Sequence, residues 1–92
     1  MEFKQEPNRI YLEDGEGKTI AEVTFPEIYA GTVNVNHTFV DDSLRGQGIA
    51  GKLMEELTQK LRTENKKAVL TCSYAVKWFE KNTEYGDLIK KV

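Results

Sequence analysis

At 92 residues the chain has room for one domain and one core, since domains run to roughly 100–200 residues, and residues 1–92 are read as a single unit. Hydrophobic residues make up 39% and charged residues 30%, which is a folding composition, while a formal net charge of −2 provides no field for holding polyanionic nucleic acid. No apolar run approaches the ~18 residues of a membrane span, and one cysteine with one histidine is too little for a disulfide or a Cys/His zinc site. The first nine residues are polar and contain no secretory hydrophobic segment, so a cytoplasmic protein without metal, membrane or nucleic-acid partners is expected.

Taken in chain order, residues 9–13 (RIYLE) and 19–25 (TIAEVTF) are rich in β-branched and aromatic side chains and flank the turn Asp14-Gly15-Glu16-Gly17, which predicts an antiparallel hairpin. Pro26 lacks a ladder donor and closes the second strand, and Gly31 marks a break. Residues 32–40 (TVNVNHTFV) read as a third strand with Val33, Val35, His37 and Phe39 on one face and Asn34, Asn36, Thr38 and Val40 on the other. Ile49, Leu53, Leu57 and Leu61 stand four apart, with Ala50 and Met54 beside them, so a long amphipathic helix runs from Ile49 to near Asn65. Residues 67–73 (KAVLTCS) form a short strand parallel to the third, which makes a βαβ crossover. Ala75, Val76, Trp78 and Phe79 then predict a short C-terminal helix, and residues 85–92 are weakly specified. The expected fold is a single-domain α/β protein with a mixed sheet, an N-terminal antiparallel hairpin, a βαβ crossover and a short final helix.

The segment from Asp41 to Lys52 (DDSLRGQGIAGK) carries the chemistry. Glycines at the start of a helix let backbone amides approach a ligand, and unpaired donors with the helix dipole favour an anion, so a phosphate site is expected. Gly46 to Lys52 fits the core of a nucleotide P-loop, but Leu53 stands where Ser or Thr would hold magnesium. Gly46, Gly48 and Gly51 also spell G-x-G-x-x-G, yet Thr71, Cys72 and Ser73 occupy the region where an acidic ribose acceptor is needed. Five residues, 41–45, also intervene between strand and motif.

Arg45-Gly46-Gln47-Gly48-Ile49-Ala50 fits Arg/Gln-x-x-Gly-x-Gly/Ala in full. With its place between a strand and a long helix, this segment resembles the pyrophosphate-binding signature of the GNAT superfamily of acyl-CoA-dependent N-acetyltransferases, in particular its very small acetyl-CoA-binding members. The resemblance implies acetyl-CoA as cosubstrate, held by Arg45, Gly46, Gln47, Gly48, Ile49, Ala50 and Gly51, with pantetheine along Phe39 and Val40. It also implies acetyl transfer to an amine, small or protein-borne, whose identity the sequence does not name. Many relatives carry Asn-x-x-Ala-x-x-x-Tyr after the next strand, and here Cys72, Ala75 and Phe79 fall at those positions. Phe79 has no hydroxyl, so the tyrosine that often protonates the departing coenzyme A thiolate in the family is missing there. A non-catalytic acetyl-CoA or coenzyme A sensor or carrier is the alternative.

Two residues are candidates for the chemistry itself. Cys72 is expected at the carboxyl end of its strand, the sheet edge where open α/β folds place ligands, and could accept the acetyl group or protonate the leaving thiolate; the plain reading is a small buried hydrophobe. His37 is the one side chain with an ordinary pKa near 6.5, which suits taking a proton from an amine, though a packed histidine beside Val33, Val35 and Phe39 fits the same pattern. Arg45 pairs with a phosphate or neutralises Asp41 and Asp42. Lys77 and Lys81 read as a solvated face, and Trp78 and Phe79 as core.

Overall fold

The computed structural model describes residues 2–90. Along them run β1 (Lys4–Glu6), β2 (Arg9–Glu13), β3 (Thr19–Thr24), β4 (Glu27–Tyr29), β5 (Thr32–Val35), β6 (His37–Val40), a 3-10 turn (Asp42–Leu44), α1 (Ile49–Glu64), β7 (Lys67–Leu70), α2 (Ser73–Lys81) and a last 3-10 turn (Thr83–Leu88). The β2–β3 hairpin forms where expected. Its turn is held by the Asp14 carboxylate, whose Oδ1 accepts from the amides of Glu16 and Lys18 at 2.9 and 3.0 Å, while Gly17 takes a left-handed φ of 81°. Strands β1 and β4 are additions to the expected set; both are three residues long with every residue exposed, which leaves little periodicity to read.

The strands form two groups, β1-β2-β3-β6, all antiparallel, and β4-β5-β7, in which β5 and β7 run parallel. The expected continuous strand over residues 32–40 is therefore two strands in different groups. Asn36 donates its amide to the Thr24 carbonyl at 3.2 Å, while the register pairs Thr24 with His37, so two consecutive residues stand opposite one. That is a β-bulge, and its extra residue reverses the alternation. Val33 and Val35 are buried in the core, whereas His37 and Phe39 point outward, and Thr38 and Val40 take the inward side as partners of buried Val23 and Ala21. The expectation that Val33, Val35, His37 and Phe39 share a face holds only as far as the bulge.

The core is built as the helical stripe predicts. Ile49, Leu53, Met54, Leu57 and Leu61 of α1 are buried with Ile10, Leu12, Ala21 and Val23 of the hairpin, and Phe25, Val33, Val35, Leu44, Ala68, Ala75, Phe79 and Leu88 complete the cluster. Asn65 ends α1 in the left-handed conformation at φ 57°, with its amide bonded to the Arg62 carbonyl. The strand expected over residues 67–73 stops at Leu70, because the amides of Thr71 and Cys72 both donate to the Val35 carbonyl at 3.1 Å and the chain turns into α2. Among the described residues no helix is long and apolar enough to cross a membrane. Residues 91 and 92 of the weakly specified tail lie outside the described residues.

Removing the side chain of Leu57, which is fully buried at the centre of the α1 stripe, is expected to cost about 2–5 kcal/mol by lost transfer energy and cavity formation. Denaturant unfolding of Leu57→Ala measures it.

Candidate functional site

The site begins where the bulge separates β6 from β7. β5 pairs with β7 up to Val35 opposite Leu70, and past Asn36 the chain swings to β3, leaving the β7-facing edge of β6 without a partner strand among the described residues. The Asp41 amide donates to the Ile20 carbonyl at 2.7 Å and sets the phase of the β3–β6 ladder. Antiparallel ladder bonds recur at every second residue, so Phe39 and His37 direct their backbone groups at β3, and Thr38 and Val40 direct theirs into the split. A slot lined on one wall by backbone groups of β6 results.

The glycine loop closes one end of that slot. Asp41 accepts from the Ser43 amide at 3.0 Å and starts the 3-10 turn, and the Ser43 hydroxyl together with that amide holds its carboxyl below the ordinary carboxylate value. Leu44 is buried and anchors the turn to the core. Gly46 and Gly48 take left-handed φ angles of 84° and 70°, which allows the backbone to double back before α1. Gly48 caps the helix without a side chain, its carbonyl accepting from Lys52 at 3.1 Å. Among the described residues no acceptor meets the amides of Gly46, Gly48, Ile49, Ala50 or Gly51. These donors, at the positive end of a 16-residue helix, form a surface suited to a multiply charged anion. Gly51 faces α2: a Cβ there would lie 3.7 Å from the Trp78 Nε1 and 4.0 Å from the Tyr74 hydroxyl.

Arg45 extends into solvent with its side chain 81% exposed and is paired with Asp42 at 2.7 Å. Of the two acids weighed as its partner, Asp42 takes the guanidinium and Asp41 serves the turn. Phe79 is core as expected, while Trp78 is half-buried, edge-on to Phe79 at 5.0 Å and stacked on Tyr85 at 5.3 Å. Lys77 and Lys81 are exposed.

Cys72 lies two residues past the end of β7, is the N-cap residue of α2 and is half-buried. Its sulfur lies 3.4 Å from the Thr38 hydroxyl across the slot. Burial pushes the thiol up, but the Thr38 hydroxyl and the backbone amides of Ala75, Tyr74 and Thr38 favour the thiolate, and the balance leaves Cys72 below the ordinary thiol value. Thr38 was assigned no role from the sequence, because its inward orientation depends on the bulge. His37 lies on the other face of β6, its side chain 54% exposed, with Nε2 3.6 Å from Glu22 Oε1. The two candidate reactive residues therefore flank β6 from opposite sides and do not form a pair. On the His37 side a groove of about 490 Å³ opens beside the bulge, lined by Glu6, Pro7, Asn8, Arg9, Thr24 and Asn36 among others.

The family follows from comparison with known proteins. Residues 9–88 match the model of the GCN5-related N-acetyltransferase family. The chain belongs to that family. A GCN5-like protein of Staphylococcus aureus, known from a solution structure, is 34% identical, with a TM-score of 0.81 over 99% of this chain and 89% of its own. Protein NATD1 of Xenopus tropicalis is 41% identical over 51 residues, which are 55% of this chain and 47% of that protein, so this chain spans about half the length of that curated relative. A Mycobacterium tuberculosis protein solved in complex with CoA shares the fold, at 16% identity and a TM-score of 0.64 over 83% of this chain and 47% of its own.

A lowered thiol value means that more of Cys72 is thiolate at neutral pH than in an unperturbed cysteine, and that reactivity is lost as pH falls through the folded-state value. Iodoacetamide alkylation followed against pH is expected to show this. Thr38→Val should shift the profile to higher pH, and Thr38→Ser should keep the wild-type profile.

Proposed function

We propose that the chain binds acetyl-CoA through the loop from Arg45 to Gly51 and transfers its acetyl group to an amine. The observation that carries this reading is the unpaired amide array of Gly46, Gly48, Ile49, Ala50 and Gly51 at the start of α1, in a chain of the GCN5-related family. Pyrophosphate is the part of the coenzyme that such donors recognise. The Thr38 carbonyl and the outward backbone groups of Val40 would hydrogen-bond pantetheine along the open edge of β6, the Thr38 amide being directed at Cys72. This refines the assignment of that role to Phe39 and Val40, because the ladder phase turns the Phe39 backbone toward β3.

The half-open site supports direct attack. As the amine nitrogen bonds to the thioester carbonyl carbon, the carbon–sulfur bond breaks and coenzyme A leaves as thiolate. His37 takes the proton from nitrogen, and the thiolate regains a proton from a neighbouring acid or solvent. Tyr74 suits the acid's role: burial raises its phenol and keeps it protonated, and its hydroxyl stands over Gly51. The groove beside Thr24 and Asn36 offers the acceptor room on the face that carries His37.

Cys72 supports a second route. As a thiolate it would attack the thioester, form acetyl-Cys72 and release coenzyme A thiolate, and the amine would then attack the new thioester and return the Cys72 sulfur. Its contact with Thr38 and its place at the start of α2 favour this reading.

Calorimetric titration with acetyl-CoA, with coenzyme A, Mg-ATP and NAD as comparisons, tests the ligand assignment. Saturable binding of acetyl-CoA or of both CoA ligands is expected, and no binding of either at millimolar concentration overturns the proposal. Gly48→Ala, which puts a Cβ at a left-handed φ, should cost about 1–2 kcal/mol in stability and weaken acetyl-CoA as well. Intact-mass analysis after incubation with acetyl-CoA separates the routes. An acetyl adduct that is absent in Cys72→Ser supports the relay, and wild-type transfer rates in that variant exclude it.

A further inference from the structure

The open face of the β1-β2-β3-β6 group carries a charge network that the proposed reaction has not yet used. The register places Arg9, Thr24 and His37 in one cross-strand row, and Tyr11, Glu22 and Phe39 in the next. Glu22 is thus the diagonal neighbour of both Arg9 and His37, within reach of long side chains. Its two oxygens are divided between them: Oε2 accepts from Arg9 Nε at 2.7 Å, and Oε1 faces His37 Nε2 at 3.6 Å. Arg9 is itself fixed by a bond from Nη2 to the Thr19 hydroxyl at 3.0 Å and by stacking 3.8 Å over the Tyr11 ring. The Glu22 side chain is 21% exposed. It is therefore a carboxylate held in place on one side and aimed at an imidazole on the other.

We propose that Glu22 is the positioning residue for His37, receiving its Nε2–H so that Nδ1 is the nitrogen left free to take a proton. This rests on the reading of His37 as the base. A small rotation of the exposed imidazole closes the 3.6 Å separation to hydrogen-bond length. A base held by a carboxylate that is itself held by a third group is the usual arrangement for fixing which imidazole nitrogen is basic. Arg9 does not compete for His37, because it draws on the other oxygen.

The chain has one histidine, so its imidazole nitrogens can be assigned without ambiguity by 15N NMR of the 92-residue chain. In wild type the neutral ring is expected to carry its proton on Nε2. Glutamine has one acceptor oxygen and an NH2 group; in Glu22→Gln the oxygen is claimed by Arg9, the NH2 faces Nε2, and the proton should move to Nδ1. Glu22→Ala, with nothing at that position, should lose the single tautomer. The same tautomer in wild type and Glu22→Gln, or a wild-type ring protonated on Nδ1, overturns the proposal. Acetyl-CoA titration of the same samples is read separately: it should be unchanged by Glu22→Gln, and a chain that binds no acetyl-CoA defeats the functional reading whatever the tautomers show.

Discussion

The amide of Asn36 and that of His37 compete for one position opposite Thr24, and the geometry of the site descends from this bulge. One extra residue in the run from Thr32 to Val40 has three effects. It stops β5 from carrying its partner β7 further, it passes the chain to β3, and it inverts which side chains face the helices. The slot between β6 and β7, the inward turn of Thr38 toward Cys72 and the outward turn of His37 toward Glu22 are therefore one event seen from different residues. The core stabilises the arrangement from both sides, since Val33 and Val35 are buried before the bulge and Val23 and Ala21 pair with Thr38 and Val40 after it.

The two ends of the slot answer different chemical needs. At the carboxyl end of β6, left-handed Gly46 and Gly48 bring backbone amides to the start of α1, where the unpaired donors belong to the main chain and the Arg45 guanidinium is paired with Asp42. Such a surface selects for anionic shape more than for net charge, which is consistent with a chain whose overall charge is −2. At the bulge end the groups are side chains, Cys72 and His37. Cys72 lies on the helix side, where Thr38 and the first-turn amides of α2 offset the cost of burying its charge, and His37 lies on the open side, where solvent and Glu22 meet it. A donor entering at the loop and an acceptor arriving across the open face would meet at β6 without sharing a path.

The close contact of the two helices at Gly51 ties these ends together. A Cβ there would lie in ordinary van der Waals contact with the Trp78 indole and the Tyr74 hydroxyl, at 3.7 and 4.0 Å, so Gly51 sits where the two helices meet as well as in the loop motif. Trp78 in turn meets Phe79 edge-on and stacks on Tyr85, which links the start of α1 to the last 3-10 turn.

The amphipathic stripe of α1, the hairpin with its Asp14 turn and the glycine loop were all legible in the sequence, because each is set by neighbours a few residues apart: helical period, turn chemistry, and the backbone freedom of glycine. The loop motif also carried the family resemblance, and residues 9–88 match the GCN5-related family model. What the sequence could not decide was the orientation of residues 36–40. Alternation along TVNVNHTFV is equally good with or without an extra residue, and only pairing with two different partners, β7 and β3, determines where the extra residue falls. For the same reason Thr38, Glu22 and Arg9 gave no signal as site residues: their relation to Cys72 and His37 is created by strand register between segments 13 to 34 residues apart. Local chemistry was thus written in the chain, while the side of the sheet on which that chemistry acts was decided by tertiary pairing alone.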